Sequence, residues 1–291
     1  MPSLAGRWLV QRRKSSLIVT LGSYFLMCHP FTSIAVATTT LMFALLINGN
    51  FSHLQLTALW IAMLLVQFSI GLTNDLFDYD YDTKAKSWKP LVSRLTIRSI
   101  TWMLVAVFLS IGLLMNLFLS LQAIPFYFVC LAIGLSYNIR LKRTSWSWLP
   151  YSLAIPTILM YVYSAKGSFS IDLLWLYLVG MLLGPAMNIA NQLQEAEQAY
   201  QSGERSLVHV LGIRFAGRTS VILLLATWLL PTLVIISGSQ VNLSFLILSA
   251  IYLCGLIMFL LLHETQKREY LWPLAIVLVT ILGLIAMPFV N

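Results

Sequence analysis

Long apolar stretches separated by short polar breaks recur along nearly the whole chain, and each is of a length to cross the roughly 30 Å hydrocarbon core of a bilayer as a helix. They fall at approximately 28 to 48, 55 to 77, 99 to 120, 122 to 138, 148 to 164, 172 to 194, 217 to 237, 243 to 262 and 271 to 290. The pattern predicts an all-α polytopic membrane protein of nine transmembrane helices, with residues 1–291 forming a single domain and no soluble region left over. Residues 15 to 27, between the basic Arg12, Arg13, Lys14 group and His29-Pro30, read as an amphipathic lead-in helix, so that 1–27 lie on the membrane surface.

Composition agrees with this reading. The chain is 59% hydrophobic and only 10% charged, whereas soluble domains carry about 25% charged residues. Charge placement tests the topology separately, because cytoplasmic loops collect Lys and Arg. With the N-terminus cytoplasmic, nine crossings put the C-terminus outside, and of 18 Lys and Arg residues only Lys166 falls on the external side. The net charge of +8 therefore reports orientation and contact with anionic lipid or phosphate, and requires no nucleic-acid partner. Cys28, Cys130 and Cys254 lie in or beside apolar spans without metal-ligand spacing, and read as packing residues. No cleavable signal is evident, and the cell membrane of a bacterium is the expected setting.

Against this apolar background, four of the ten acidic residues crowd into one short stretch, Asp75, Asp78, Asp80 and Asp82. At about 100° per residue on a helix, Asn74, Asp75, Asp78 and Asp82 share one arc while Asp80 points away. Three carboxylates and an amide on one face form a hard oxygen array suited to Mg²⁺, and like charges held so close need a cation between them. A second polar face ends the sixth span, where Asn188, Asn191, Gln192 and Glu195 share an arc and Glu197 lies outside it. Both faces end spans running inward, so the topology brings them to the same side of the membrane. An Asp facing lipid at mid-bilayer costs on the order of 3 kcal/mol, so these faces must turn toward protein, water and counter-ions. Lys84, Lys86, Lys89, Arg140, Lys142, Arg143 and Arg205 are the cations nearby in sequence. Carboxylates and cations together point to Mg²⁺ carrying a phosphorylated substrate.

The run Asn74-Asp75-Leu-Phe-Asp78-Tyr-Asp80-Tyr-Asp82 resembles the NDxxDxxxD motif of the UbiA superfamily of intramembrane prenyltransferases. Lys86-Ser-Trp-Lys89-Pro90-Leu91 is similar to that family's KPxRPL, with Ser87 for Pro and Lys89 for Arg. Ile139-Arg140-Leu141-Lys142-Arg143 resembles the basic end of its fourth helix, and Gly203-Glu-Arg205-Ser206-Leu207 with Leu211-Gly212 resembles GxRTLxxxLG. The resemblance implies nine helices around a central cavity, Mg²⁺, a polyprenyl diphosphate donor and an aromatic or other lipophilic acceptor. It implies metal binding by Asn74, Asp75, Asp78, Asp82 and Glu195, with Asp75, Asp78, Asp82 and Glu195 catalytic. Lys86, Lys89, Tyr137, Arg140, Lys142, Asn191 and Gln192 would bind substrate. The chain departs from the pattern where the family's second DxxxD becomes Glu195 followed by Ala199, and where His29-Pro30 replaces Arg-Pro.

The expected reaction is ionisation of an allylic diphosphate and capture of the carbocation by the acceptor. Phe77, Tyr79, Tyr81, Tyr137, Tyr161 and Tyr163 offer π-faces to such a cation, although aromatic residues at span ends also serve as interfacial anchors. Two other readings fit parts of the pattern. A terpene cyclase on the same scaffold would trap the cation within its own chain, and a cation-coupled transporter would use the carboxylates as ion ligands.

Overall fold

A computed structural model describes residues 17–46, 51–193, 206–237, 243–265, 270–271, 274–275 and 277–278. Among the described residues there are helices and turns and no strand. The spans expected from 28 to 262 each coincide with a helix, differing by a few residues at their ends. The span expected at 271 to 290 lies almost wholly outside the described residues. Four described helices are long and apolar enough to cross a membrane, and a fifth crossing results if the bent pair Leu17–Met27 and Pro30–Leu45 is one span.

The chain divides into two compact units. The first comprises Met1–Leu41, Phe51–Ile139 and Tyr161–Ser168. Its helices are α1 (Leu17–Met27), α2 (Pro30–Leu46, to Leu41 in this unit), α3 (His53–Phe77), α4 (Tyr79–Ala85), α5 (Arg98–Met115) and α6 (Ala123–Ile139). Pro30 cannot continue α1, and the chain bends by 53° between α1 and α2. The outward side of α1 carries exposed Leu17, Ile18, Leu21 and Phe25, an apolar face of the kind that lies against lipid. At the start of α3, Ser52 Oγ accepts from the Gln55 amide while Gln55 Oε1 accepts from the Ser52 amide, a reciprocal cap that fixes where the helix begins. At its other end, Met27, Cys28, Leu72, Leu76, Leu91 and Val105 form an apolar cluster. Gly71 allows the Cys28 backbone to approach α3, since any Cβ there would strike the Cys28 carbonyl. Three polar side chains in the apolar interior of this unit are paired with one another or with backbone carbonyls. Tyr161 donates to Asn116 Oδ1 at 3.0 Å, Asn116 Nδ2 to the Gly112 carbonyl at 2.8 Å, and Tyr127 to the Leu109 carbonyl at 2.9 Å.

The second unit comprises Met42–Asn50, Arg140–Met160 and Phe169–Asn291. It contains most of α7 (Leu149–Lys166), then α8 (Leu176–Leu193), α9 (Leu207–Leu211), α10 (Ile213–Ser237) and α11 (Leu243–Glu264). Met187, Ile189, Leu224, Tyr252 and Phe259 belong to its core. The Ser220 hydroxyl donates to the Ala186 carbonyl at 3.0 Å, and Tyr252 donates to the Leu224 carbonyl at 2.9 Å, joining helices by hydrogen bonds that keep their value away from water. Large apolar side chains such as Leu178, Leu229 and Ile257 remain exposed. Lipid contact accounts for such a surface.

Candidate active site

Helical periodicity carries straight across the junction of α3 and α4. The Asp78 amide donates to the Asn74 carbonyl, Asp82 to Asp78 and Lys86 to Asp82, at 2.9, 2.8 and 2.7 Å. The i to i−4 ladder thus survives the hitch at Asp78, and residues four apart keep a common face. Asp75, Asp78 and Asp82 are buried, Asn74 is half-buried and Asp80 is exposed, the division that a 100° step per residue dictates.

The cation between the carboxylates is Lys89. Its Nζ lies 2.8 Å from Asp75 Oδ1 and 2.7 Å from Asp82 Oδ2. The following residues hold the lysine in place. Leu91 sits in the apolar cluster with Leu72 and Leu76, the Ser93 amide donates to the Lys89 carbonyl at 2.9 Å, and the Ile97 amide donates to Tyr24 Oη on α1 at 2.9 Å. His29 adds a second basic group at the mouth of the pair. Its Nε2 is 3.7 Å from Asp75 Oδ1, its side chain is 46% exposed, and its backbone is left-handed at φ 49°, a conformation uncommon outside glycine.

Burial alone would pull the Lys89 ammonium toward release of its proton, but Asp75 and Asp82 outweigh it and hold the lysine above its ordinary value. Burial pushes the Asp82 carboxyl up, and Asp78 adds to that push while Lys89 opposes it. Among the described residues Asp82 Oδ1 has no hydrogen-bond partner, while Oδ2 meets the Lys89 ammonium at 2.7 Å. Among the described residues no three His, Cys, Asp or Glu side chains converge on one metal position. The described unit is therefore the Asp75–Asp82 pair, with Asp78 buried in the same stretch. Two carboxylates, one with a buried oxygen short of a partner, fit Mg²⁺, which takes one or two carboxylates and completes its octahedron with phosphate oxygens and water.

The second polar group is built by a close helix crossing within the second unit. Gly180 and Gly184 of α8 face Ser152 and Pro156 of α7, and a Cβ at either glycine would strike the Ser152 backbone. That approach brings the polar ends of the helices into register. Ser147 Oγ donates to Asn188 Oδ1 and Gln192 Nε2 donates to Ser147 Oγ, both at 2.9 Å, while Asn191 Nδ2 donates to Tyr151 Oη at 2.8 Å. The Val208 amide donates to Gln192 Oε1 at 3.4 Å. The Asn188, Asn191 and Gln192 side chains are thus engaged with α7, its preceding turn and α9. Glu195, Glu197 and Arg205 lie outside the described residues.

The signature of the UbiA prenyltransferase family matches residues 35–288. The chain belongs to the UbiA prenyltransferase family. It is thereby a multi-pass membrane protein of a family of intramembrane prenyltransferases. No curated protein matches it. Solved structures share the UbiA fold at low identity. A UbiA homolog from Aeropyrum pernix K1 in its apo form is 17% identical with a TM-score of 0.72, covering 90% of this chain and 99% of its own. A UbiA homolog from Archaeoglobus fulgidus bound to GPP and Mg²⁺ is 14% identical with a TM-score of 0.69, covering 91% and 99%. A digeranylgeranylglyceryl phosphate synthase structure is 16% identical with a TM-score of 0.67, covering 92% and 98%.

The remaining expected residues of this UbiA chain occupy varied settings. Lys86, Tyr137 and Lys142 are half-buried and Arg140 is exposed, the last just before the tight turn Leu141–Arg143. Phe77 packs edge-on against Trp102 at 6.0 Å and Tyr79 lies beneath the Arg98 guanidinium at 5.9 Å, which are anchoring contacts for both rings. Asn138 escaped sequence reading. From the last turn of α6 its Nδ2 donates to the Ile70 carbonyl at 2.8 Å and to Thr73 Oγ1 at 3.2 Å, next to Asn74-Asp75. An amide one turn before a basic helix end was the available signal.

Proposed function

We propose that this protein catalyses Mg²⁺-dependent transfer of a prenyl group from an allylic polyprenyl diphosphate to an aromatic or other lipophilic acceptor. The observation that carries the reading is the pair of buried carboxylates, Asp75 and Asp82, gathered at the end of an apolar helix. Ionisable groups at such a place are costly and mark sites of ion or substrate handling. The Archaeoglobus fulgidus homolog binds GPP or DMAPP together with Mg²⁺, and the synthase named above supports chemistry in membranes on the same scaffold.

In this reading Asp75 and Asp82 hold the cation, with Asn74, Asp78 and Glu195 as further oxygen donors. When bound, Mg²⁺ neutralises charge that develops on the leaving diphosphate. Lys86, Lys89, Arg140 and Lys142 bind phosphate oxygens by charge-assisted hydrogen bonds. Tyr137, Asn191 and Gln192 line the substrate path. The allylic C–O bond breaks with its electrons leaving on the diphosphate, an electron pair of the acceptor closes on the allylic carbon, and the acceptor then loses a proton. Apolar helices keep out water that would quench the cation. Residues 1–291 act as one prenyltransferase domain, with 1–27 as its lead-in, and the Lys and Arg asymmetry puts the N-terminus and the site on the cytoplasmic side and the C-terminus outside.

The deciding experiment incubates the purified protein with Mg²⁺ and a panel of allylic diphosphates, with and without aromatic acceptors, and identifies products by mass spectrometry. A prenylated acceptor formed only when acceptor is supplied supports transfer. A cyclic hydrocarbon or alcohol from donor alone identifies a cyclase, and absence of diphosphate release with every donor refutes both.

A further inference from the structure

Lys89 stands between Asp75 and Asp82, the carboxylates assigned above to a metal ion, with its Nζ 2.8 Å from one and 2.7 Å from the other. An ammonium there and a divalent cation on the same two oxygens are mutually exclusive, because two positive centres would be forced within a few ångströms of each other behind a largely desolvated wall. We propose that Lys89 is an exchangeable counter-ion, which holds Asp75 and Asp82 together and yields them to a divalent cation as its ammonium turns to the diphosphate. The inference rests on the reading of this site as one for a metal and a diphosphate, and adds how the site is loaded.

Three features of the chain support exchange over a permanent ion pair. One ammonium bridges two carboxylates, so it leaves each of them with only a share of one positive charge at contact distance. Asp82 is 1% exposed, and among the described residues its Oδ1 has no hydrogen-bond partner while Oδ2 meets the Lys89 ammonium, so one oxygen of a buried carboxylate is left for a further cation. The lysine backbone is fastened through Leu91 and Ser93, while its four-carbon stem has rotatable bonds that move the charge without moving the loop. Displacement of the ammonium by the metal leaves a cation in want of an anion, and a diphosphate supplies one. Metal and diphosphate binding are thereby coupled through a single side chain.

The test compares the full-length protein with its Lys89→Met variant in detergent, measuring Mn²⁺ binding by electron paramagnetic resonance and thermal unfolding in EDTA or in Mg²⁺. Removing the competitor is expected to tighten Mn²⁺ binding about tenfold, within the usual range of coupling between sites. The variant is also expected to unfold several degrees lower than wild type in EDTA and to recover that loss in Mg²⁺, since two facing carboxylates then lack any cation. Lys89→Gln, whose amide still donates to carboxylates, serves if the methionine variant fails to accumulate, with the same expected gain in Mn²⁺ affinity. Mn²⁺ binding that is unchanged or weaker in the folded variant overturns the proposal. Diphosphate release from dimethylallyl diphosphate by wild type is measured in parallel. Its absence with the Mn²⁺ gain present counts against the reaction alone, and its presence without that gain counts against the exchange alone.

Discussion

Asn138 reaches from the last turn of α6 to Thr73 on α3, its Nδ2 3.2 Å from the threonine hydroxyl and 2.8 Å from the Ile70 carbonyl. Gly134, one turn earlier, lies so near Ile70 that a Cβ would require this side chain to move. The pair therefore locks the turn from which Asn74 and Asp75 project. Replacing Asn138 with leucine, close in size but without the amide, is expected to cost about 1 kcal/mol of stability, the scale of interhelical hydrogen bonds in membrane proteins. A larger effect is expected on turnover, since displacement of a catalytic group by about 1 Å lowers rates on the order of 100-fold. Thermal unfolding and diphosphate release measured on the same sample separate the two effects.

The acidic stretch makes a prediction within itself. Asp75 and Asp82 are buried against Lys89, whereas Asp80 is exposed on the opposite side. Asp75→Asn and Asp82→Asn retain shape and remove charge, and each is expected to lower Mg²⁺-dependent diphosphate release by about 100-fold or more. Asp80→Asn is expected to retain most of the activity. Comparable loss in all three variants would show that the stretch acts through net charge and not through directed ligands.

What the chain disclosed in advance was whatever depends on periodicity. Apolar runs announced the helices, and a 100° step separated Asp80 from Asp75, Asp78 and Asp82 before any coordinates. Contacts between elements were hidden. Lys89 was expected to bind phosphate, and nothing in linear spacing shows a lysine folding back across Pro90 to sit between two carboxylates. Asn191 and Gln192 were expected to bind substrate, and linear spacing did not show that their amides also donate to Tyr151 and Ser147. Those partners are some forty residues away and meet only because Gly180 and Gly184 allow α8 to close on α7. A glycine pair four apart is visible in sequence, but which helix it receives is decided by packing.

That crossing is open to direct disruption. Any side chain at Gly184 must displace the Ser152 backbone, not merely a flexible side chain, so Gly184→Val is expected to destabilise the protein by about 1–3 kcal/mol as an overpacked contact. At Gly22 a Cβ would meet nothing within 4 Å, and Gly22→Ala on α1 is expected to be neutral or slightly stabilising. Unfolding temperatures of the two variants decide the matter. Equal tolerance at both sites would mean that α7 and α8 do not depend on the close approach.

Lys89 also gives the folded protein a pH signature in the absence of metal. Its ammonium is held above the ordinary value of 10.5 because Asp75 and Asp82 outweigh the effect of burial. A basic group whose value is raised on folding contributes stability that is complete below its unfolded value and disappears as pH rises through the folded one. In EDTA the difference in unfolding temperature between wild type and Lys89→Met is therefore expected to be full near neutrality and to shrink above 10.5, and to shrink also in acid, where the carboxylates take up protons. Taking the difference cancels other lysines and tyrosines that titrate in the same range. A gap that keeps its neutral-pH size as pH rises well above 10.5 would place the stabilising charge elsewhere, and the Lys89 bridge would then not be the contact that holds Asp75 and Asp82 together.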